Sequence, residues 1–313
     1  MPELDTVAVV LESPKQLSLR RLSLNALAAG DVLVDIEWSG ISTGTERLLW
    51  TGCMPPFPGM GYPLVPGYES VGKIVDAGPE ASGRIGEHVF VPGASCFKDA
   101  RGLFGGAARR LIVPSARAIA IRDDVREQGV LIALAATAQH VVASGALPEL
   151  IVGHGVLGRL LARLTMAAGQ PPVVWETNAD RHSGAAGYSV VHPEADSRRD
   201  YRNIADVSGD STLLDTLIGR LGRGGEIVLA GFYEKPLSFD FAPAFLREAR
   251  MRVSSEFKAE DMTVVIDRIN EGSLSLDGLI THRMDAADAN QAYRTAFADA
   301  SCLKMILDWR GCA

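Results

Sequence analysis

One stretch limits the folds open to this chain: Leu150-Ile-Val-Gly-His-Gly-Val-Leu-Gly158 sets Gly153, Gly155 and Gly158 in the spacing G-x-G-x-x-G. A short apolar run precedes the glycines and an amphipathic run follows them, which reads as strand, tight turn and helix start. That order aims backbone N–H groups from a helix N-terminus at one point, where a pyrophosphate can sit. The motif alone is weak, so its context decides. Pro172-Val-Val-Trp-Glu176 reads as a second strand ending in an acid, about 20 residues beyond the turn, as a dinucleotide site requires. Ala205-Asp-Val-Ser208, a helix over 211–221 and a strand over 226–231 continue the alternation that builds parallel βαβ units.

Glu176 can accept hydrogen bonds from the adenosine ribose hydroxyls, and its charge repels a 2′-phosphate, so the expected cofactor is NAD rather than NADP. Arg181, five residues on, can soften that preference. The expected cofactor set is therefore Gly153, His154, Gly155, Val156, Leu157, Gly158, Glu176, Arg181 and Gly231. His154 is expected to flank the pyrophosphate.

The first part of the chain has a different texture. Val7-Ala-Val-Val-Leu11 is a buried-strand signal and residues 31–37 alternate with period two. Ser39-Gly-Ile-Ser-Thr-Gly-Thr-Glu46 reads as a loop opening a helix near Thr45. Pro55, Pro56, Pro58, Pro63 and Pro66 exclude regular helix or central strand from the segment that follows. Strand signals return at 66–78, 86–91 and 105–113, so the region up to about residue 125 is expected to be β-rich and barrel-like. The expected fold is α/β in two domains: residues 1–125 with 275–313, and a doubly wound parallel-sheet Rossmann domain over 126–274.

Composition closes off several functions. A net charge of −7 argues against nucleic acid as a partner. No apolar run reaches the roughly 18–20 residues a transmembrane helix needs, and the acidic start lacks a signal-peptide core, so a cytoplasmic location is expected. Cys53, Cys96, Cys302 and Cys312 are scattered without a C-x-x-C and are expected to be free thiols.

With Pro66-Gly-Tyr-Glu-Ser-Val-Gly72, Gly86-Glu-His-Val89, Gly224-Gly-Glu-Ile-Val-Leu-Ala-Gly231 and Cys302-Leu-Lys-Met-Ile-Leu-Asp308, the whole chain resembles the medium-chain dehydrogenase/reductase superfamily. The resemblance implies a GroES-like β-rich catalytic domain beside the Rossmann domain. Zinc members of that superfamily carry Cys-Gly-Thr-Asp where Ser42–Glu46 stands, Gly-His-Glu where Gly67-Tyr68-Glu69 stands, and a third ligand near Thr137. Hydroxyls are poor zinc ligands beside thiolate and imidazole, so no zinc is expected.

Within the superfamily, Ser-Gly-Ile-Ser-Thr-Gly-Thr-Glu-Arg-Leu-Leu-Trp50 and Val65-Pro-Gly-Tyr-Glu-Ser-Val-Gly72 resemble the dehydrogenases of bacteriochlorophyll synthesis. That resemblance implies NAD-dependent oxidation of the 3-(1-hydroxyethyl) group of a bacteriochlorophyllide to 3-acetyl. Two other readings stand beside it: a zinc-free quinone or enone reductase, and a catalytically silent scaffold binding nucleotide and pigment. A homodimer and a loose membrane association are compatible with each.

The candidates for catalysis are Thr45, Tyr68, Glu69 and His140. Thr45 either relays a proton or caps a helix. Tyr68 either donates to the substrate oxygen or packs as a strand tyrosine. Glu69 orients one of these groups or pairs with a buried cation. His140 either shuttles a proton or is a hydrogen-bonded structural histidine. Arg47, Trp50, Phe57 and Tyr62 are the candidates for pigment binding, from a segment that either offers an aromatic surface or packs on itself. Arg47, Lys98, Arg101 and Arg109 are the cations available to a propionate carboxylate.

Overall fold

A computed structural model describes residues 4–56 and 58–312. Phe57 lies outside the described residues. The chain divides into two compact units, residues 1–133 with 279–313, and residues 134–278.

The first unit begins with the hairpin β1 (Asp5–Ser13) and β2 (Gln16–Ser23), followed by β3 (Asp31–Ile41), helix α1 (Thr45–Thr51), β4 (Ser70–Ala77), β5 (His88–Val91), β6 (Arg110–Pro114) and β7 (Ile119–Ala120). β3 organises this unit. It pairs with β4 from Val32 to Ser39 and with β6 over Asp31–Asp35, and the register against β4 slips at Leu33/Val34 and Ile36/Trp38. Such irregularities bend a strand and increase its twist, which suits one that changes neighbours along its length. Val32, Val34 and Ile36 are fully buried in the core beneath it, with Val9, Val89, Val91 and Leu111.

A 3₁₀ turn over Asp123–Leu131 leads into α2 (Ile132–Ala143). The turn packs on β3, β4 and β5. It therefore belongs to the first unit, which extends past the expected edge at residue 125. Buried Val125, Val130 and Leu131 hold it there, whatever helical signal follows.

The second unit runs β8 (Leu150–Val152), α3 (Val156–Ala167), β9 (Val173–Trp175), β10 (Ser189–Val191), β11 (Tyr201–Asp206), α4 (Leu214–Arg220), β12 (Leu221–Leu229), α5 (Phe241–Arg247), β13 (Arg250–Val253) and α6 (Ala259–Asn270). Its six strands are all parallel, in the order β10-β9-β8-β11-β12-β13. Counted from β8 this is 3-2-1-4-5-6, the dinucleotide-binding order, and the strand order changes sides at β8. Between β9 and β11 only short 3₁₀ turns, Ala179–Arg181 and Pro193–Ala195, replace the expected crossover helices. Gly184, Gly187 and Pro193 account for that, because each disfavours continued helix. Leu150, Ile204, Leu217, Ile218 and Ile227 fill the core.

The chain then returns to the first unit with β14 (His282–Asp285), α7 (Ala289–Ala298) and β15 (Met305–Asp308). β15 pairs antiparallel with the second half of β3, Met305 opposite Ile41 and Asp308 opposite Trp38. The tail thus completes the first sheet.

Candidate functional site

In the second unit the glycine turn leaves β8 between β9 and β11. Gly153 has φ of 104°, and its N–H donates to the Trp175 carbonyl at 2.9 Å. Gly155 is the N-cap of α3 and supplies no side-chain cap, so the first-turn N–H groups around Val156 and Leu157 face outward for an anion. A Cβ on Gly158 would stand 1.9 Å from the Gly153 carbonyl oxygen, so the helix can approach the turn only with glycine there. Gly231 follows β12, and its N–H donates to the Asp206 carbonyl at 3.0 Å.

Glu176 sits at the end of β9, nearly buried. One carboxylate oxygen accepts the His154 N–H at 3.1 Å and the other accepts the Asn178 N–H at 2.8 Å. Each oxygen keeps a further lone pair. His154 does not present its ring to a pyrophosphate: it is fully buried, with Nδ1 on the Arg181 carbonyl at 2.6 Å and Nε2 on the Tyr188 hydroxyl at 2.8 Å. Burial pushes its pKa down to about 4. The Arg181 carbonyl also accepts from Arg159 Nη2 at 3.0 Å, so the defined contribution of Arg181 is through its backbone.

His140, on α2, bonds Asp261 through Nδ1 at 2.7 Å, and Asp261 also accepts the Lys258 N–H that starts α6. This joins α2 and α6 within one unit, the contact expected of a hydrogen-bonded structural histidine.

In the first unit Tyr68 and Ser42 meet. The Tyr68 hydroxyl donates to Ser42 Oγ at 2.8 Å, and the Tyr68 ring lies edge-on to Phe104 with centroids 5.3 Å apart. Thr45 is the first residue of α1 and its hydroxyl bonds Tyr68. It is not the helix cap, a position Gly44 holds with no side-chain bond. Burial, then the nearby Glu69 charge, push the Tyr68 phenol well above its usual range, while Ser42 and Thr45 oppose this. The phenol is therefore neutral at any working pH.

Beneath this trio lie two buried carboxyls. Glu69 accepts from Lys304 Nζ at 2.7 Å, and Lys304 also bonds the Ile41 carbonyl at 3.2 Å. Both side chains are within the core, and Glu69 Oε1 has no hydrogen-bond partner among the described residues. Burial raises the Glu69 pKa and Lys304 opposes the shift. Glu46 accepts the Tyr293 hydroxyl at 2.5 Å and the Ser42 N–H at 3.1 Å. Burial lifts Glu46 to about 7 against those two bonds. The Tyr293 phenol is raised well above its usual range by burial and by Glu46.

These donors do not suit zinc. Ser42 and Tyr68 are hydroxyls spent on each other, and Glu69 is committed to an ammonium group. Thr137, the third position, lies on α2 and is a hydroxyl as well.

Sequence reasoning named Thr45, Tyr68 and Glu69 but passed over Glu46, Tyr293 and Lys304. Lys304 carried a signal: it is a lone charge in the apolar run Leu303-Lys-Met-Ile-Leu307, and a buried lysine needs a partner.

The pigment candidates fare differently. Trp50 packs against Tyr293 and Phe297, with centroids 6.3 and 6.4 Å away. The Tyr62 hydroxyl donates to the Leu49 carbonyl, and its ring joins a satellite core with Leu11, Leu48, Leu49, Met54 and Leu64. Trp50 thus packs from α1 onto α7, and Tyr62 packs the segment after α1 back onto α1. Arg109 pairs with Asp35 at 2.9 Å and Arg101 holds the Met60 carbonyl at 3.1 Å. Arg47 stands exposed on α1.

The Alcohol dehydrogenase GroES-like domain family matches residues 28–123. The chain is 56% identical over 311 residues to 2-desacetyl-2-hydroxyethyl bacteriochlorophyllide A dehydrogenase of Rhodobacter capsulatus, covering 98% of this chain and 99% of that protein. It is 57% identical over 316 residues to the protein of the same name from Cereibacter sphaeroides, again covering 98% and 99%. Among solved structures, acetophenone reductase from Geotrichum candidum in complex with NAD superposes with a TM-score of 0.85 at 17% identity, covering 98% of each chain, a likeness of fold.

Proposed function

This chain belongs to the 2-desacetyl-2-hydroxyethyl bacteriochlorophyllide A dehydrogenases of the medium-chain superfamily, and from that premise we propose that its Tyr68–Ser42–Thr45 hydroxyls do the work a zinc ion does in related enzymes. The protein is an oxidoreductase acting on a CH–OH group, and it oxidises the hydroxyethyl group of a bacteriochlorophyllide to acetyl in bacteriochlorophyll synthesis. The observation that carries the mechanism is the 2.8 Å bond from Tyr68 to Ser42.

Alcohol oxidation takes a hydride from the carbinol carbon and a proton from its oxygen. A bound nicotinamide supplies the hydride acceptor. Tyr68, held protonated, accepts a hydrogen bond from the substrate hydroxyl; as it takes the substrate proton it passes its own to Ser42 Oγ, and the Ser42 hydroxyl gives up its proton in turn by way of Thr45. Thr45 is half-buried beside exposed Gly44, so the proton leaves to water there. No member of this relay has to carry a lasting charge. The ketone formed is conjugated with the macrocycle, which lowers the demand for a Lewis acid.

NAD is the proposed cofactor. The turn Gly153, Gly155, Val156, Leu157 and Gly158 receives the pyrophosphate on backbone N–H groups, Gly231 borders the strand ends, and Glu176 accepts the ribose hydroxyls. Exposed Arg47 supplies the cation for a propionate of the pigment. A cytoplasmic location accords with cysteines that form no disulfide among the described residues. It also includes a homodimer through the outer edge of β13, where Phe241, Phe245, Leu246 and Val253 are 71%, 66%, 72% and 77% exposed. Loose membrane association is the other cover for that patch. No helix among the described residues is long and apolar enough to cross a membrane.

The deciding experiment incubates purified enzyme with NAD and the hydroxyethyl pigment and follows the red shift of the acetyl product, with metal analysis of the same sample. Turnover with substoichiometric zinc is expected. Stoichiometric zinc, removed together with activity by a chelator, would overturn the zinc-free mechanism.

A further inference from the structure

The loop between β9 and β10 carries Glu176 at its start and Tyr188 at its end, and it contains no α-helix to stiffen it. The His182 ring bonds the Glu176 carbonyl within the loop at 2.8 Å, and one side chain of the glycine turn, His154, ties the loop to that turn. A carbonyl oxygen can only accept, so His154 Nδ1, 2.6 Å from the Arg181 carbonyl, must carry a proton. In the neutral ring Nε2 is then an acceptor, and the Tyr188 hydroxyl donates to it across 2.8 Å. One tautomer satisfies both contacts. The main chain of the same residue adds two more bonds. The His154 N–H donates to Glu176 Oε2 at 3.1 Å, and its carbonyl accepts Arg159 Nε at 3.1 Å. Arg159, itself buried, donates onward to the Arg181 carbonyl at 3.0 Å. A fully buried imidazole thus spans the turn that takes the pyrophosphate and the loop that carries the ribose acceptor.

We propose that His154 is a specificity-determining positioning residue: by tying the 177–188 loop to the glycine turn it fixes the Glu176 carboxylate, and through Glu176 it enforces the choice of NAD over NADP. The inference rests on the reading of Glu176 as the ribose acceptor. The groups facing the His154 ring are Arg159, Arg181, His182, Glu176 and Tyr188. Burial outweighs them and keeps the ring neutral across the working range, so the tie does not open with pH. Without the tie the carboxylate can swing aside, and a 2′-phosphate then meets less repulsion.

The test compares wild type, His154→Ala and Tyr188→Phe by calorimetric titration with NADH and with NADPH, alongside kcat at saturating NAD. Wild type is expected to bind NADH more tightly. His154→Ala should weaken NADH binding by about fivefold to tenfold, the size of one or two lost hydrogen bonds, with NADPH affected less. Tyr188→Phe keeps the ring volume, removes only the bond to Nε2, and should shift the preference in the same direction by a smaller factor. For Tyr188→Phe, kcat should stay within about twofold of wild type, because the chemistry is untouched. A lower melting temperature with an unchanged NADH/NADPH ratio in both variants would overturn the inference and leave the NAD reading intact. Equal affinity of wild type for both cofactors would overturn the NAD reading itself, and the inference with it.

Discussion

Tyr293 on α7 donates to Glu46 on α1 across 2.5 Å, and neither side chain reaches solvent. Glu46 is raised from 4.5 to about 7, chiefly by burial. A carboxyl raised on folding is better accommodated neutral. Its contribution is complete below about pH 4.5 and is lost as pH rises through 7. Unfolding of wild type and Glu46→Gln at several pH values should therefore show the variant gaining relative to wild type between pH 5 and 8, by on the order of 2–3 kcal/mol. A difference that stays flat with pH would contradict a titrating Glu46.

The Glu69–Lys304 pair is buried on both sides. Lys304→Met strands a buried carboxylate and should destabilise the protein by about 3–5 kcal/mol in urea unfolding. Adding Glu69→Gln removes the charge that was stranded, so the double variant should recover part of that loss. A double variant no more stable than Lys304→Met would mean that the pair's charge is not what matters.

Tyr68→Phe removes the phenol while leaving its contact with Phe104. The turnover of hydroxyethyl pigment should fall by about 10²–10⁴-fold, with NADH affinity unchanged. Thr45→Val should lower kcat in the same direction. Full activity in both would refute the hydroxyl relay.

Gly158→Ala places a methyl 1.9 Å from the Gly153 carbonyl oxygen. The turn must open to admit it, so NADH binding should be lost or weakened by at least about tenfold even where the variant folds. Calorimetry with a circular-dichroism control checks this.

Phe245→Glu puts a charge in the apolar patch beside β13. Sedimentation should show wild type as a dimer and the variant shifted toward monomer. Flotation with anionic lipid vesicles separates the two covers: wild type that floats but sediments as a monomer would assign the patch to lipid.

The parallel-sheet unit was largely legible in the sequence because its signals are local. Three glycines, two apolar runs and an acid at fixed spacing lie within Leu150–Glu176, and each constrains its own backbone. The first unit was less so. Ser42, Tyr68 and Glu69 could be found as replacements in recognisable phrases, yet their partners Tyr293 and Lys304 lie 247 and 235 residues from the carboxyls they meet. No periodicity encodes a contact of that range. The loop after α1 was ambiguous for another reason. The same aromatic composition makes either an open surface or a satellite core, and only the Tyr62–Leu49 bond and the packing of Trp50 decide between them. His154 was misplaced because a polar residue inside a glycine turn suggests an outward side chain, whereas Tyr188 and the Arg181 carbonyl form a polar niche behind it.

Because β15 and α7 complete the first unit, the order of synthesis on the ribosome matters. Residues 134–278 form one continuous unit and can fold as soon as they emerge. The first 133 residues cannot finish. Until Tyr293 and Lys304 have left the exit tunnel, Glu46 and Glu69 lack their side-chain partners, and the second half of β3 lacks its neighbour β15. The part of the chain made first is thus the last to become native, and a nascent chain stalled before residue 293 would hold a finished nucleotide-binding fold and an unfinished first sheet.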